Sequence, residues 1–127
     1  MQDKLIAIGK KAESRRIEIE QNRVLPNDIA AELKATGVLR LWVAKANNGH
    51  QSDLLSLLNA VQTLAYYNGS LGWVACVTGT GALTSGYLQK EVAQEVFNQS
   101  DAMLGGFAAP VGSAQKVAGG LLVNGRW

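Results

Sequence analysis

The sequence predicts a mainly α protein: a helical domain followed by the first strands of a β-domain. Apolar residues recur at helical spacing through roughly the first 100 positions. After Met103 the pattern changes to short apolar runs separated by Gly and Pro, which is typical of strands. Because helices followed by strands indicate separate layers or domains, we predict a helical N-terminal domain at 1–102 and the start of a truncated β-domain at 103–127.

Five helices are predicted. The first is charge-rich, with an apolar stripe at Leu5, Ile8 and Ala12, and the second is ended by a glycine cap at Gly37. Small residues dominate the fourth, which would allow close approach of a neighbour. The predicted helices are 3–22, Asp28–Thr36, a helix capped by Ser52 that ends at Asn68, a helix capped by Ser70, and Tyr87–Phe97.

Three strands are predicted, at Leu104–Ala109, Gln115–Ala118 and Leu121–Val123. Asn124-Gly125 is typical of a tight hairpin turn, and Trp127 would begin the return strand. A strand without a partner leaves backbone N–H and C=O groups unpaired. We therefore expect the sequence to be the front part of a longer protein.

Charge is nearly balanced but unevenly distributed. Twelve Lys and Arg against ten Asp and Glu leave a net charge of +2, which is too small to indicate a nucleic-acid partner. Ten of these 22 side chains lie in residues 1–23, whereas residues 54–89 contain none. Helices without a charged face are enclosed by protein or lipid. Asn59, Gln62 and Asn68 interrupt the apolar run, so protein is favoured over a membrane.

Catalytic signals are weak. Cys76 and His50 are the only residues of their types, which excludes an internal disulfide and disfavours a metal site. The glycine run 79–86 matches neither nucleotide-binding fingerprint. No signal peptide is visible at the N-terminus, so the cytoplasm is the expected compartment. No catalytic residue and no metal ligand is assigned.

Four stretches in order resemble the acyl-CoA dehydrogenase superfamily, and specifically its flavin-dependent two-component monooxygenase branch, which includes aromatic and steroid hydroxylases and dibenzothiophene monooxygenase. They are residues 23–49, 53–77, 88–97 and 105–127. The most particular item is the GS-x-GW elbow, formed here by Gly69, Ser70, Gly72 and Trp73. Ala44 departs from the family pattern, which has Pro there.

The resemblance implies a helical N-terminal domain, a central β-domain and a C-terminal helical bundle, assembled as a dimer or tetramer. FMN or FAD would be the cofactor, supplied in reduced form by a partner flavin reductase. The flavin-contacting positions would be Phe107, Ala108, Ala109, Gly112, Ser113 and Trp127. Trp73, Val77, Thr80 and Gly81 would wall a pocket for a small apolar or aromatic substrate. The family's catalytic base has no counterpart here, so this piece alone is expected to be inactive and not to bind flavin tightly.

Three alternatives remain open. An acyl-CoA dehydrogenase is disfavoured by the elbow and by Ala-Pro-x-Gly at 109–112, where that branch has Thr-Glu-Pro. A non-catalytic helical interaction module would use the uncharged surface to bind a partner. A membrane-associated helical hairpin is the third alternative.

Overall fold

The computed structural model describes residues 1–99, 102–106, 109 and 111–126. Within them the chain is mainly helical and ends in a two-stranded antiparallel sheet. The helices are α1 (Gln2–Ser14), α2 (Arg16–Asn22), α3 (Asn27–Ala35), α4 (Leu54–Tyr67), α5 (Gly69–Gly81) and α6 (Lys90–Phe97). Short 3₁₀ segments lie at Val38–Arg40, Lys45–Asn47 and Ala82–Gly86. The strands are β1 (Ser113–Val117) and β2 (Gly120–Asn124).

The predicted first helix is wrong in one respect, because the chain divides it into α1 and α2 at Arg15. That residue leaves helical geometry, with φ −110° and ψ 19°. Its guanidinium donates both to Glu18 in α2 and to Asp28 in α3. The break therefore lies where one side chain joins three helices.

α4 packs against both α1 and α5, and the main core lies among these helices and α3. Gly72 lies so close to α4 that an added Cβ would be 2.5 Å from the Ala65 Cβ and 2.8 Å from its backbone nitrogen. The small residues of α5 thus permit the close approach that their composition predicts. The largest fully buried side chains are Leu5, Ile29, Leu33, Val38, Val43, Leu64, Leu71 and Phe97.

Two helix starts differ from the prediction. Asp53 rather than Ser52 caps α4, since its carboxylate accepts the Ser56 N–H at 2.8 Å. This hydrogen bond is the main reason that the pKa of Asp53 is lowered. Asn68 rather than Ser70 caps α5, with its side-chain oxygen accepting from the Leu71 N–H at 3.1 Å. One residue, Asn68, therefore ends α4 and starts α5.

α6 begins at Lys90, three residues later than predicted. The predicted strand at 104–109 is not formed at its described positions, 104–106 and 109. β1 and β2 pair in register from Ser113 with Asn124 to Val117 with Gly120. The turn between them is therefore Ala118-Gly119, where Gly119 takes φ +88°. The turn predicted at Asn124-Gly125 would follow β2 and stays a prediction. Asn124 ends β2, and Trp127 lies outside the described residues.

The uncharged helix pair is only partly covered by the described residues of this chain. α4 and α5 cover each other, but Leu55 is 68% exposed, Tyr66 84% and Trp73 69%. Among the described residues, the helices are all too short or too polar to cross a bilayer.

Candidate functional site

The four predicted pocket residues lie on one side of α5. At 100° per residue, Trp73, Val77, Thr80 and Gly81 fall within a sector of about 100°. The opposite side, which contains Gly72 and Gly79, packs against α4. Trp73 and Thr80 are exposed, and Val77 and Gly81 are half-buried. The structure therefore brings these four residues to a common face, here termed the α5 face, and leaves it uncovered by α4.

The segment 102–106, which leads toward the sheet, passes along the α5 face. A Cβ added to Gly81 would lie 3.1 Å from the Leu104 Cβ and 3.3 Å from the Leu104 carbonyl oxygen. A larger residue at Gly81 would therefore push Leu104 away. At the other end of α5, Met103 and Trp73 line the same cavity. Met103 and Leu104, which are adjacent in sequence, thus lie beside opposite ends of the α5 face.

This cavity, termed the α5 groove, has a volume of about 820 Å³. It lies between the α2–α3 region and the N-terminal half of α5. The described residues that line it are Ile19, Glu20, Arg23, Val24, Leu25, Asn27, Ala30, Lys34, Gly69, Ser70, Trp73, Val74 and Met103. Sequence patterns indicated Trp73 but not the α2–α3 contribution, because that contribution depends on the fold.

Polar chemistry on the α5 face is limited. The Thr80 hydroxyl donates back to the helix, with acceptors at the Cys76 carbonyl (2.8 Å) and the Val77 carbonyl (3.1 Å). Its proton is thus directed into the helix, while its oxygen lone pairs face outward. Cys76 itself is half-buried and forms no disulfide in the described part of the chain. The α5 face can therefore surround an apolar molecule, and it offers no acid or base.

The predicted flavin-contacting positions are only partly described. Ala109, Gly112 and Ser113 are exposed, and Ser113 is the first residue of β1. The Val111 N–H donates to the Ala109 carbonyl at 2.9 Å. Phe107, Ala108 and Trp127 lie outside the described residues, as does Pro110. No hydrogen bond joins the described part of this stretch to the α5 face.

The hairpin presents apolar side chains on both faces. All ten strand residues are exposed, and Leu121, Leu122 and Val123 each remain more than half exposed. Ala109, Gly112 and Ser113 have small side chains and are exposed, so a planar ring could approach the backbone closely there. Main-chain N–H and C=O groups suit the polar edge of a planar heterocycle. The described residues are therefore compatible with a flavin, although the groups that would hold it are incomplete here.

Arg40 is a structurally important residue that the sequence patterns did not indicate as functional. It is buried, with 8% exposure, and its guanidinium donates to three carbonyls: Asn47 at 2.8 Å, Phe97 at 2.8 Å and Gln99 at 3.1 Å. Phe97 ends α6, which has no basic residue in its own last turn. Arg40 thus supplies the cation that the carbonyl end of a helix favours. In the sequence, the signal that could have indicated this role is the position of Arg40 as the one charged residue in the apolar run 38–43.

The loop that holds Arg40 is tied to the 3₁₀ segment after α5. Asn47 is buried, and its amide donates to the Ser85 carbonyl at 3.0 Å. The Ser85 hydroxyl accepts the Ala44 N–H, also at 3.0 Å. Phe97 packs with Val43 and Ala82 in a second apolar cluster, against which Leu104 lies. This network fixes where α6 ends and where residues 102–106 depart toward the sheet.

Three carboxylates near the groove, those of Glu18, Asp28 and Glu32, are held in ion pairs. Lys11 pairs with Asp28 (2.7 Å) and Glu32 (2.6 Å), and Arg15 pairs with Asp28 (2.8 Å) and Glu18 (2.8 Å). Hydrogen bonds from Lys11, and then from Arg15, hold the pKa of Asp28 well below its usual range. The Asp28 and Glu32 hydrogen bonds raise the pKa of Lys11. This network, termed the α1–α3 ion cluster, turns the α3 acids toward α1.

Within the described residues, no group of three or more His, Cys, Asp or Glu side chains is arranged to hold a metal ion. His50 instead lies beside Gly37: its Nε2 would be 2.8 Å from a Cβ at that glycine, which takes φ +75°. The His50 imidazole therefore packs against the turn at Gly37.

Comparison with known proteins identifies homologues that are oxygenases. The chain is 32% identical over 111 residues to the oxygenase subunit HsaA of a flavin-dependent monooxygenase from Rhodococcus jostii, covering 87% of this chain and 29% of the relative. It is 29% identical over 120 residues to indole-3-acetate monooxygenase from Pseudomonas putida, covering 94% and 31%. No protein-family model matches the chain.

A third relative is the oxygenase component of p-hydroxyphenylacetate 3-hydroxylase from Acinetobacter baumannii. The identity is 29% over 126 residues, covering 98% of this chain and 29% of the relative. The chain therefore spans about a third of the length of the curated relatives that it matches. The matched region includes the greater part of the helical structure, because each alignment covers at least 87% of the chain.

Proposed function

We propose that this chain is part of the oxygenase component of a two-component, flavin-dependent monooxygenase that hydroxylates an apolar or aromatic substrate. The observation that carries the proposal is the alignment to named oxygenases over at least 87% of the chain. The uncharged, partly uncovered α4–α5 pair supports it, since an oxygenase needs a dry wall beside its substrate.

In this proposal residues 1–102 form the helical domain of an acyl-CoA dehydrogenase-like fold, and 103–127 begin its β-domain. The α5 face, with Trp73, Val77, Thr80 and Gly81, forms one wall of the substrate pocket. Reduced FMN or FAD, delivered by a separate reductase, supplies the oxygen-activating chemistry when bound. The proposed flavin contacts are Phe107, Ala108, Ala109, Gly112, Ser113 and Trp127.

The residues of this chain would then have two tasks. Trp73 and Val77 exclude water and hold an apolar ring by contact, because neither side chain can exchange a proton at neutral pH. Main-chain groups at Ala109–Ser113 orient the polar edge of the flavin. A dimer or tetramer is expected, since the hairpin and α4 leave apolar side chains uncovered.

The decisive assay uses the complete gene product that carries this sequence, with a flavin reductase, NADH and a panel of phenols and aromatic acids. Flavin-dependent incorporation of one ¹⁸O atom from ¹⁸O₂ is expected in one product. A gene product that binds no flavin, or that oxidises acyl thioesters instead, contradicts the proposal.

A matched pair of variants tests the wall assignment. Val77→Phe fills the α5 face and should change kcat/KM for the substrate by about tenfold or more, because a pocket discriminates by roughly that factor per added methylene. Ile17→Phe, at a site 62% exposed on α2, is the size-matched control and should leave kcat/KM unchanged. Equal effects of the two substitutions would contradict the assignment.

The 127-residue chain by itself is expected to bind neither FMN nor FAD stoichiometrically, because it spans about a third of its relatives' length and we expect the remainder of the protein to supply further flavin contacts. Flavin fluorescence titration measures this. Tight one-to-one binding would place the flavin site within these residues and contradict the proposed division of contacts.

A further inference from the structure

The dipeptide Asn-Gly occurs at three places in the sequence, at 48–49, 68–69 and 124–125. This dipeptide is chemically labile, because glycine has no side chain to hinder attack of its own peptide nitrogen on the preceding asparagine amide carbon. The attack closes a succinimide ring. It requires a backbone that can turn, an accessible side-chain amide and a glycine N–H that no acceptor holds. The surroundings of the three copies therefore decide which of them can react.

The first copy is held in its loop by hydrogen bonds and by close packing. The Gly49 N–H donates to the Ala44 carbonyl at 3.1 Å, so the nitrogen that would attack is occupied. The Asn48 amide donates to the side-chain oxygen of Asn98 at 3.3 Å. A Cβ added to Gly49 would overlap the Val43 carbonyl, which shows how little room the backbone has to turn. The fold thus opposes ring closure at Asn48.

The second copy joins two helices. The Asn68 side-chain oxygen accepts the Leu71 N–H at 3.1 Å, which caps α5. The main chain of Asn68 is held as well: its N–H donates to the Leu64 carbonyl at 3.0 Å, and its carbonyl accepts the Gly72 N–H at 3.1 Å. Ring closure at Asn68 would break the cap of α5 and the last hydrogen bond of α4 together. Local unfolding must therefore come first.

The third copy has none of these restraints. Asn124 and Gly125 are both exposed, and Gly125 follows the last residue of β2. Within the described residues, no hydrogen bond holds the Asn124 side chain, and no main-chain carbonyl accepts the Gly125 N–H. Asn124 therefore meets all three requirements for ring closure.

We propose that Asn124 is a spontaneous deamidation site, and that the fold protects Asn48 and Asn68 from the same reaction. The Gly125 nitrogen attacks Cγ of Asn124; a C–N bond forms, and the side-chain nitrogen leaves as ammonia with the proton of the Gly125 N–H. Water then opens the ring. Addition at the main-chain carbonyl of residue 124 gives isoaspartate, and addition at Cγ gives aspartate. Water is consumed and ammonia released, with no oxidant or reductant.

The isoaspartate product would alter one end of the hairpin. Its main chain runs through the former side chain and gains a methylene at the end of β2, beside the pairing of residue 124 with Ser113. A carboxylate also replaces a neutral amide, which lowers the formal net charge of +2 by one unit. The pair of Val117 with Gly120 lies at the opposite end and should persist. This chemistry needs no flavin, so it stands or falls separately from the proposed monooxygenase activity.

The test incubates the folded 127-residue chain in mildly alkaline buffer, where a peptide nitrogen loses its proton more readily. Tandem mass spectrometry follows two tryptic peptides, 46–90 with Asn48 and Asn68, and 117–126 with Asn124. Asn124 should deamidate at least about tenfold faster than the other two, because each of those must first open its local structure. In concentrated urea the three rates should become similar, since the dipeptide is the same.

Three variants locate the reaction. Asn124→Gln should leave peptide 117–126 unmodified, because glutamine would have to close a larger ring. Gly125→Ala should slow deamidation at Asn124 by about fivefold or more, since a Cβ hinders the attacking nitrogen. Gly120→Ala, also in the hairpin, is the matched control: an added Cβ there meets no atom within 4 Å, so the rate at Asn124 should be unchanged. Circular dichroism checks that each variant is folded.

Spectroscopy reports the product in place. In ¹H–¹⁵N spectra of the incubated chain, the amide of Ser113 should shift more than that of Gly120, because the added methylene lies at the Ser113 end of the strand pair. The inference is overturned by equal deamidation of Asn124 and Asn68 in the folded chain, by rates at Asn48 and Asn68 that urea does not raise, by modification of peptide 117–126 in Asn124→Gln, or by equal slowing in Gly120→Ala and Gly125→Ala.

Discussion

Replacing Arg40 by Met tests whether the buried guanidinium stabilises the end of α6. Met keeps a long, flexible apolar stem but has no donor for the three carbonyls of Asn47, Phe97 and Gln99. The bonds to Asn47 and Phe97 are buried, whereas the Gln99 bond is only partly so. Water can therefore replace the guanidinium most easily at Gln99.

The expected loss follows from these three bonds. A hydrogen bond from a charged donor contributes about 1.5–3 kcal/mol, and an unsatisfied buried carbonyl costs about 1–3 kcal/mol. Against this, Met avoids the several kcal/mol that burying an unpaired charge costs. Counting chiefly the two buried carbonyls, Arg40→Met should lower the free energy of unfolding by about 2–4 kcal/mol. That is a large part of the 5–15 kcal/mol that is usual for a domain.

Urea unfolding followed by circular dichroism at 222 nm measures this loss as a lower midpoint with an unchanged m-value. Arg40→Lys should fall between wild type and Arg40→Met, since one ammonium cannot span three carbonyls in the arrangement of a guanidinium. Arg16→Met, on the exposed surface of α2, is the control and should change stability by less than about 0.5 kcal/mol.

Hydrogen exchange gives a second readout. In Arg40→Met the amides of the last turn of α6, including Asn98, whose N–H donates to Gln94, should exchange faster. Amides in the middle of α4 should exchange faster only by the factor that the loss of global stability accounts for. If Arg40→Met matches the Arg16→Met control in both measurements, the stabilising role of the guanidinium is refuted.

Two further predictions concern packing and pH. Gly72→Ala should lower the free energy of unfolding by about 1–3 kcal/mol, because the added Cβ would lie 2.5–2.8 Å from Ala65 atoms. Gly69→Ala is the control: a Cβ there would meet no atom within 4 Å, so this variant should be neutral or slightly stabilising in the same urea assay. The pKa of Asp28 is depressed by Lys11, so its contribution to stability is present above the unfolded value near 4 and is lost as the pH falls through the folded value. Asp28→Asn should flatten the acid limb of a stability-versus-pH curve. Added salt should reduce the difference in stability between wild type and Asp28→Asn. Identical acid limbs for the two proteins would contradict the ion-pair account.

Sequence periodicity predicted the helical part well where local and tertiary preferences agree. The α3 boundaries are within one residue of the prediction, and Gly37 ends that region in the left-handed geometry expected of a glycine cap. The small residues of α5 predicted close packing, which the Gly72–Ala65 approach confirms. In these cases the same residues determine both the helix and its neighbour.

The local signals were wrong where a partner decides the structure. Ser52 and Asp53 are both good caps, and the choice of Asp53 depends on which residue starts the helical geometry. Arg15 would continue a helix by propensity, yet its contacts with α3 accompany a break there.

The sequence by itself determined the mainly helical class, the uncharged middle of the chain and the small-residue character of α5, because helical periodicity and composition act over a few neighbouring residues. Only the tertiary structure placed Arg23 and Lys34 beside Trp73 and directed Arg40 toward the end of α6, more than 50 positions away. Such contacts depend on how whole helices pack, and nothing in the spacing of a charged residue reports which distant carbonyl or groove it will face.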